Sequence, residues 1–216
     1  MTDYLSIILE GLALLVGLIS FNKITIGRYK LLPPYLAIII SFEICNMMGL
    51  FAYQRTNLWV MNIAITFEFL FFGAFILSAY RNKKEQRIFG LIMLAVLLYT
   101  VIDVVWVKGV FKLGYHAIVV QYSLLIVIVC RLFYNMMQEF DRGTSLAHDP
   151  DFWVSTGLLF FFLAEFLFFA SFKLAYTHPD TFSALFKVIK TIANFILYSC
   201  LIVSFLWARR AKKISY

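Results

Sequence analysis

Apolar residues run along this chain in seven long blocks, each separated from the next by a short polar connection. The blocks cover Tyr4–Phe21, Leu32–Tyr53, Leu58–Tyr80, Ile88–Val107, Gly114–Tyr134, Phe152–Tyr176 and Phe182–Trp207. A helix crosses the hydrocarbon core of a bilayer in roughly 20 residues. The pattern therefore predicts an all-α, seven-transmembrane-helix bundle in a single transmembrane domain over residues 1–216. No connection is long enough to fold as a soluble domain. Any signalling output is expected on another chain.

Helix punctuation agrees with these blocks. Pro33-Pro34 opens the second, where proline is tolerated in a first turn. Asp149-Pro150 has the form of an N-cap followed by proline at the first helical position. Pro179-Asp180-Thr181 reads as the start of the last helix, and Gln54–Asn57 as a tight hairpin between the second and third. The first basic residue, Lys23, follows the first apolar block, so that block reads as a retained span and not as a signal peptide. No internal repeat of the kind used by many transporters is visible.

Composition sharpens the class. Of 216 residues, 62% are hydrophobic and 14% charged, and the mean hydropathy is +0.86. These values exclude a disordered chain, a nucleic-acid-binding domain and an ordinary soluble enzyme. The net charge of +7 reports orientation through its placement. One side of the predicted membrane carries Lys23, Arg28 and Lys30, then Arg81, Lys83, Lys84 and Arg87, then Arg142 and Arg209–Lys213. The other carries only Arg55, Lys108 and Lys112. Basic loops stay cytoplasmic. The asymmetry predicts a multi-pass protein of the inner (cytoplasmic) membrane, with its N-terminus outside and its C-terminus inside.

The candidate chemistry lies in the charges inside the spans. A charge at mid-bilayer costs roughly 2.5–3.5 kcal/mol or more, and such residues normally face a bundle interior or a cavity. Glu43, Glu68 and Glu165 fall near the centres of their blocks, and Glu10 a few residues outward. Asp103 lies roughly 8 Å toward the outside, and Lys190 and Lys187 roughly 7 and 11 Å outward, at ~1.5 Å per residue. Lys173 lies near an outer end, where it can snorkel. Arg131 alone lies in the inner half. This one-sidedness predicts a polar cup open to the outside.

Helical spacing places Lys187, Lys190, Asn194 and Tyr198 on one face, Glu43 with Asn46 on another, and Tyr99, Asp103 and Trp106 on a third. Asn62, Gln121 and Tyr122 are expected to join them around the cavity. The alternative is that interhelical ion pairs and buried amides simply lock the bundle. The phenylalanines of the sixth block, Phe160 to Phe169, read as packing and lipid-facing surface, with a hydrophobic ligand slot as the sharper alternative.

Other chemistry is missing from the sequence. His116, His148 and His178 lie in or beside connections with no metal-ligand spacing. There is no phosphate loop, nucleophile elbow or Cys–His arrangement. Cys45, Cys130 and Cys200 fall in different spans, so no disulfide framework is expected. Lys190 in a seventh span invites comparison with a retinal Schiff base, but the surrounding Asp, Trp and Pro pattern of microbial rhodopsins is not found. No metal and no cofactor is expected.

Several motifs resemble a group of uncharacterised seven-span bacterial integral membrane proteins. They are Glu43 with the short hairpin after it, Ile65-Thr66-Phe67-Glu68-Phe69-Leu70, Asp149-Pro150-Asp151-Phe152-Trp153-Val154 running into Thr156–Phe160, and Asn194-Phe195-Ile196-Leu197-Tyr198, ending at Trp207. The resemblance implies a sensory or signalling role by its seven-span form. Glu43, Glu68 and Asn194 coincide with its polar positions, whereas Lys187 and Lys190 do not match it.

Together these readings predict a receptor- or sensor-like protein in the lipid bilayer. A small molecule would engage Glu10, Glu43, Glu68, Asp103, Glu165, Lys187, Lys190 and Asn194. A separate cytoplasmic or membrane partner would read the result through the basic segments, and no nucleic acid is involved. The alternatives are a proton-coupled small-solute transporter and, further off, an intramembrane lipid enzyme.

Overall fold

The computed structural model describes residues 2–52, 56–139, 146–172 and 179–210. Seven long helices occupy them: α1 (Thr2–Ser20), α2 (Leu32–Met47), α3 (Leu58–Leu77), α4 (Lys83–Ile102), α5 (Tyr115–Glu139), α6 (Pro150–Ala170) and α7 (Pro179–Ala208). Six segments are long and apolar enough to cross a membrane: Gly27–Met47, Leu58–Leu77, Lys83–Lys108, Tyr115–Gln138, Pro150–Ala170 and Phe182–Ala208. The chain is thus a multi-pass helical membrane protein. Exposed leucines and isoleucines such as Ile8, Leu12, Leu15 and Ile19 on α1, and Leu91, Leu94, Leu98 and Ile102 on α4, recur at helical spacing. Such outward apolar stripes suit lipid contact.

Local chemistry accounts for the helix ends. Pro33 lies at the start of α2 and Pro150 at the start of α6, as their sequence positions predict. The Asp149 side chain accepts from the Asp151 amide at 2.9 Å, closing the cap of α6. α4 begins earlier than its apolar block. Asn82 accepts from the amides of Lys84 (3.0 Å) and Glu85 (3.4 Å), so most of the basic stretch 81–87 forms helix and not loop.

The second block is cut short for the opposite reason. Gly49 takes φ +72°, its amide bonds to the Asn46 carbonyl, and the Leu50 amide bonds to the Cys45 carbonyl. These are the two bonds of a Schellman motif, which ends α2 at Met47 and not at Tyr53. The tight connection expected at Gln54–Asn57 lies largely outside the described residues, and α2 meets α3 through bulky rings, with Tyr35 stacked on Phe71 at a centroid distance of 4.0 Å and on Phe67 at 6.0 Å. The ends of α5 to α7 also move. α5 starts at Tyr115 and runs on to Glu139, α6 ends at Ala170, and α7 begins at Pro179.

Close helix packing links α6 with α7 and α5, α1 with α7 and α2, and α3 with α5. Gly157 explains the closest of these. A Cβ at that position would lie 3.1 Å from the Leu197 Cα and 2.9 Å from the Cys200 Cβ, so α6 and α7 touch backbone to backbone. The core at the α2-start, α7-end side of the bundle is filled by Tyr29, Leu32, Leu158, Phe162, Leu201 and Phe205, all almost fully buried. The cavity lies toward the opposite end of the bundle.

Two ionic clusters stand at the filled end. Arg28 pairs with Asp151 and also donates to the Ser78 carbonyl at 3.4 Å, while the buried Tyr29 hydroxyl donates to Asp151 at 2.5 Å. This joins the segment before α2 to α3 and α6. Arg131 binds Glu85 through two nitrogens (2.6 and 3.1 Å), and Asn135 donates to the same carboxylate at 3.1 Å. Arg131 is therefore an interhelical pin between α4 and α5. Arg55, Arg142, Lys173, His178, Lys212 and Lys213 lie outside the described residues.

Candidate ligand cavity

A cavity of about 410 Å³ lies among α2, α3, α5, α6 and α7. Its walls follow from helical periodicity. Glu43 and Asn46 project from one face of α2, Met61, Ile65, Glu68 and Phe72 from α3, and Lys190, Asn194, Leu197, Tyr198 and Leu201 from α7. Phe161, Glu165, Phe168 and Phe169 supply α6, and Tyr122 supplies α5. The lining extends from Asn57, Leu113 and Phe172, beside the connections at one end of the bundle, to Leu36, Phe72 and Leu201 at its middle. Beyond these residues the packed core begins.

Three carboxylates and one lysine are thus brought together from α2, α3, α6 and α7. Lys190 Nζ lies 3.2 Å from Glu165 Oε1. Glu165 is buried, but 61% of the Lys190 side-chain surface is open. That surface borders two spaces, because Lys190 and Glu165 line both the main cavity and a second groove of about 310 Å³ between α6 and α7. Tyr122 donates from its hydroxyl to Glu68 at 3.0 Å. Asn57 donates to Asn46 at 2.7 Å, linking the end of α2 to the start of α3 beside the cavity. Asn194 Oδ1 is buried in the lining and meets no hydrogen-bond donor among the described residues.

The sequence-based site divides. Glu43, Glu68, Glu165, Lys190 and Asn194 converge on the cavity. Glu10 is fully buried behind it on α1, facing Glu43 of α2 and Tyr198 of α7. Lys187 lines the second groove with Phe182, Ser183 and Phe186. It stands three positions before Lys190 on α7, and it borders the groove without lining the main cavity.

Asp103 belongs elsewhere. α4 widens into a π-helix over Asp103–Lys108, which turns Asp103 toward Gly114 and leaves Tyr99 and Trp106 exposed. Neither ring borders the cavity. Asn62 is also structural. It donates to the carbonyls of Val110 (3.3 Å) and Lys112 (2.9 Å) and accepts from the Gly114 amide (3.1 Å), holding the α4–α5 connection on α3. Gln121 donates to Thr100 at 2.9 Å between α5 and α4.

Sequence reasoning did not anticipate Tyr35, Phe42 or Phe172 as cavity residues. Nothing in their spacing separates them from the many other aromatics. The phenylalanines of α6 serve several roles, since Phe161, Phe168 and Phe169 line the cavity, Phe162 fills the core and Phe160 is exposed. Among the described residues no group of three or more His, Cys, Asp or Glu is arranged to hold a metal ion.

This fold and cavity define a class: a polytopic helical membrane protein with a charged, aromatic-walled internal cavity. No family model, curated protein or solved structure matches the chain. The functional reading therefore rests on the cavity.

Proposed function

We propose that this chain is a seven-span, receptor-like protein of the inner membrane, with its N-terminus outside. It binds a small molecule in the outward-facing cavity and signals through a separate partner. The observation that carries the reading is the convergence of Glu43, Glu68, Glu165 and Lys190 from four helices on one cavity of about 410 Å³. Small-molecule sites commonly have this form, apolar and aromatic walls with a few convergent polar groups in roughly 300–1,000 Å³. α1 supplies the seventh span, its carboxylate Glu10 buried against α7 and α2.

The packing supports a route for signal output. α2 forms one cavity wall; its backbone packs closely against α1 and the turn that precedes it, while it meets α3 through side chains such as Tyr35 on Phe71. That wall shifts most readily when a ligand binds. Its motion reaches the cytoplasmic end through Arg28 and Tyr29, both joined to Asp151. The transporter alternative requires a path past Phe72, Leu201 and Phe162, where side chains fill the bundle.

The test uses the purified protein in lipid nanodiscs, screened against a chemically diverse small-molecule library by thermal stability. At least one compound is expected to stabilise the wild type, with the shift lost in Glu43→Gln, Glu68→Gln and Lys190→Met. Stabilisation that survives in all three variants would sink the cavity reading. Solute accumulation in proteoliposomes under a pH gradient would replace the receptor with a carrier.

A further inference from the structure

The second groove lies between α6 and α7, inside two of the segments that are apolar and long enough to cross a membrane, Pro150–Ala170 and Phe182–Ala208. Next to its lining residues α6 exposes Leu163 and Leu167, and α7 exposes Leu185, Val188 and Ile192. Exposed apolar surface on a membrane-crossing helix meets lipid tails. The groove therefore faces the bilayer.

Side chains part this groove from the main cavity. Glu165, Phe168 and Lys190 line both spaces. Further along the same two helices, at Gly157, backbone meets backbone and closes the way. At the groove α6 and α7 meet through rings, with the Phe168 centroid 5.5 Å from that of Phe182 and 5.4 Å from that of Phe186. Rings and lysine chains change rotamer far faster than helices move. Lys190 keeps 61% of its side-chain surface open while it is bonded to the buried Glu165. Turning Lys190 and Phe168 aside joins the two spaces without moving a helix.

The far side of this partition holds a site that wants a donor. Asn194 is 7% exposed and lines the cavity, and its Oδ1 meets no donor among the described residues. A buried acceptor without a donor is costly, and an occupant with an O–H or N–H removes that cost. The walls around it include Tyr35, Phe161 and Phe169, which suit an apolar or aromatic body. A passage from hydrocarbon selects against a full charge on the occupant.

We propose that the cavity is filled sideways from the bilayer, through the α6–α7 groove, by an uncharged amphiphile. Phe168 and the Lys190–Glu165 pair form the gate. The polar end of the amphiphile donates a hydrogen bond to Asn194 Oδ1, and its apolar body lies along the aromatic walls. This inference rests on the cavity reading above and adds the ligand class and its route.

The probe is 4-hexylphenol, together with an analogue that carries a diazirine at the chain end. It is compared with 4-hexylanisole, which has no donor, and with the charged 4-hexylbenzoate and 4-hexylbenzylammonium. The full chain is held in nanodiscs at neutral pH. Photolysis at increasing times after mixing, with labelled peptides mapped by mass spectrometry, follows filling of the cavity. Label is expected on cavity-wall peptides of α3 and α7, and excess 4-hexylphenol removes it. The anisole is expected to compete roughly tenfold less well, and neither charged analogue competes as well as the phenol. Ser183→Trp narrows the groove without touching the cavity lining. It is expected to slow labelling by roughly tenfold and leave the final extent unchanged, whereas Leu185→Trp, on the lipid-facing surface, labels at the wild-type rate. Asn194→Leu is expected to weaken competition by the phenol roughly tenfold while melting, without probe, no lower than wild type.

Equal competition by phenol and anisole overturns the hydrogen bond to Asn194, and a comparison of those two compounds needs no variant. Wild-type labelling rates in Ser183→Trp overturn the route. Equal or better competition by either charged analogue, or no cavity label from the phenol, overturns the ligand class. Each of these results leaves the cavity reading standing, because that reading falls only on the broader library screen.

Discussion

Lys190 and Glu165, 3.2 Å apart on α7 and α6, form the partition between the main cavity and the groove beside it. The two partners are unequal. Glu165 is 8% exposed and Lys190 61%. Removing the lysine leaves a buried carboxylate among Phe161, Phe168 and Phe169, whereas removing the acid leaves a lysine with open surface around it. Lys190→Met is therefore expected to lower stability by about 1–3 kcal/mol, more than Glu165→Gln does. The double variant recovers part of the loss. Thermal denaturation of all four proteins closes the cycle, and strict additivity of the single effects would show that the pair is not coupled.

The contact of α6 with α7 depends on the missing side chain of Gly157. Its virtual Cβ meets backbone of Leu197 and the Cys200 Cβ, while that of Gly73 on α3 meets only the flexible end of Met93 at close range. Gly157→Ala is expected to cost about 1–3 kcal/mol through helix displacement. Gly73→Ala is expected to be milder, since the methionine can swing away and alanine favours the helix. Denaturation midpoints in matched detergent check the order.

Asn62 holds three backbone groups of the α4–α5 connection. Asn62→Asp keeps its shape but turns the donor into an oxygen facing the carbonyls of Val110 and Lys112. That variant is expected to be at least as damaging as Asn62→Ala, each by about 1–3 kcal/mol. Faster proteolysis within residues 109–114 is the local readout.

Asp149 supplies a pH-dependent prediction. Burial, then the neighbouring Asp151 carboxylate, holds the Asp149 carboxyl above the ordinary aspartate value. The folded state therefore keeps this proton to higher pH than the unfolded state does. Its stabilising effect is complete below the ordinary value and is lost as pH rises through the folded-state value. Asp149→Asn keeps the cap to the Asp151 amide and removes that loss. The variant is expected to gain stability relative to wild type as pH rises across this acid range, measured by pH-resolved thermal denaturation. A wild type that gains on the variant over that range would contradict the argument.

The lock at Arg28 gives a graded series. Asp151 binds both Arg28 and Tyr29. Asp151→Asn weakens both bonds and leaves a partly buried guanidinium uncompensated. Tyr29→Phe removes one hydroxyl bond and leaves the ring against Phe75. The first is expected to cost about 2–3 kcal/mol and the second about 1 kcal/mol. If α2 transmits the ligand signal, both also reduce coupling between cavity occupancy and the accessibility of a label placed at Lys30, just before α2, measured in the same nanodiscs.

Much of the architecture was legible in the apolar blocks. Length and hydropathy alone mark a helical segment in each block, because the bilayer demands internal satisfaction of every backbone group and sets the span length. The proline starts of α2 and α6 and the cap at Asp149 are local chemistry, so they too were legible. Gly49 was not, since a Schellman turn is nearly invisible within a continuous apolar run. The Asn82 cap was masked by its basic neighbours, which have the composition of a loop.

The candidate site was readable in part. Charge inside a span marks a residue as buried or cavity-facing, which is why Glu43, Glu68, Glu165 and Lys190 stand out from their apolar neighbours. Hydropathy cannot say which interior face a charge meets. Glu10 and Asp103 have the same sequence signature as Glu68, yet one lies behind the cavity wall and the other beside Gly114. The ion pairs Arg28–Asp151 and Arg131–Glu85 join residues far apart in the chain. Their pairing depends on helix rotation and on the order in which helices pack.

By itself, then, the sequence determined that the chain is helical and membrane-embedded, and which residues carry charge inside the apolar blocks. Both follow from the cost of exposing backbone and charge to hydrocarbon, which is local. Tertiary structure decided that five of the eight nominated residues share one cavity, that Lys187 and Asp103 do not, and that Asn194 leaves an acceptor without a donor among the described residues there. Those outcomes depend on helix rotation, on the π-turn after Ile102 and on the close approach at Gly157, all settled by packing between segments distant in sequence.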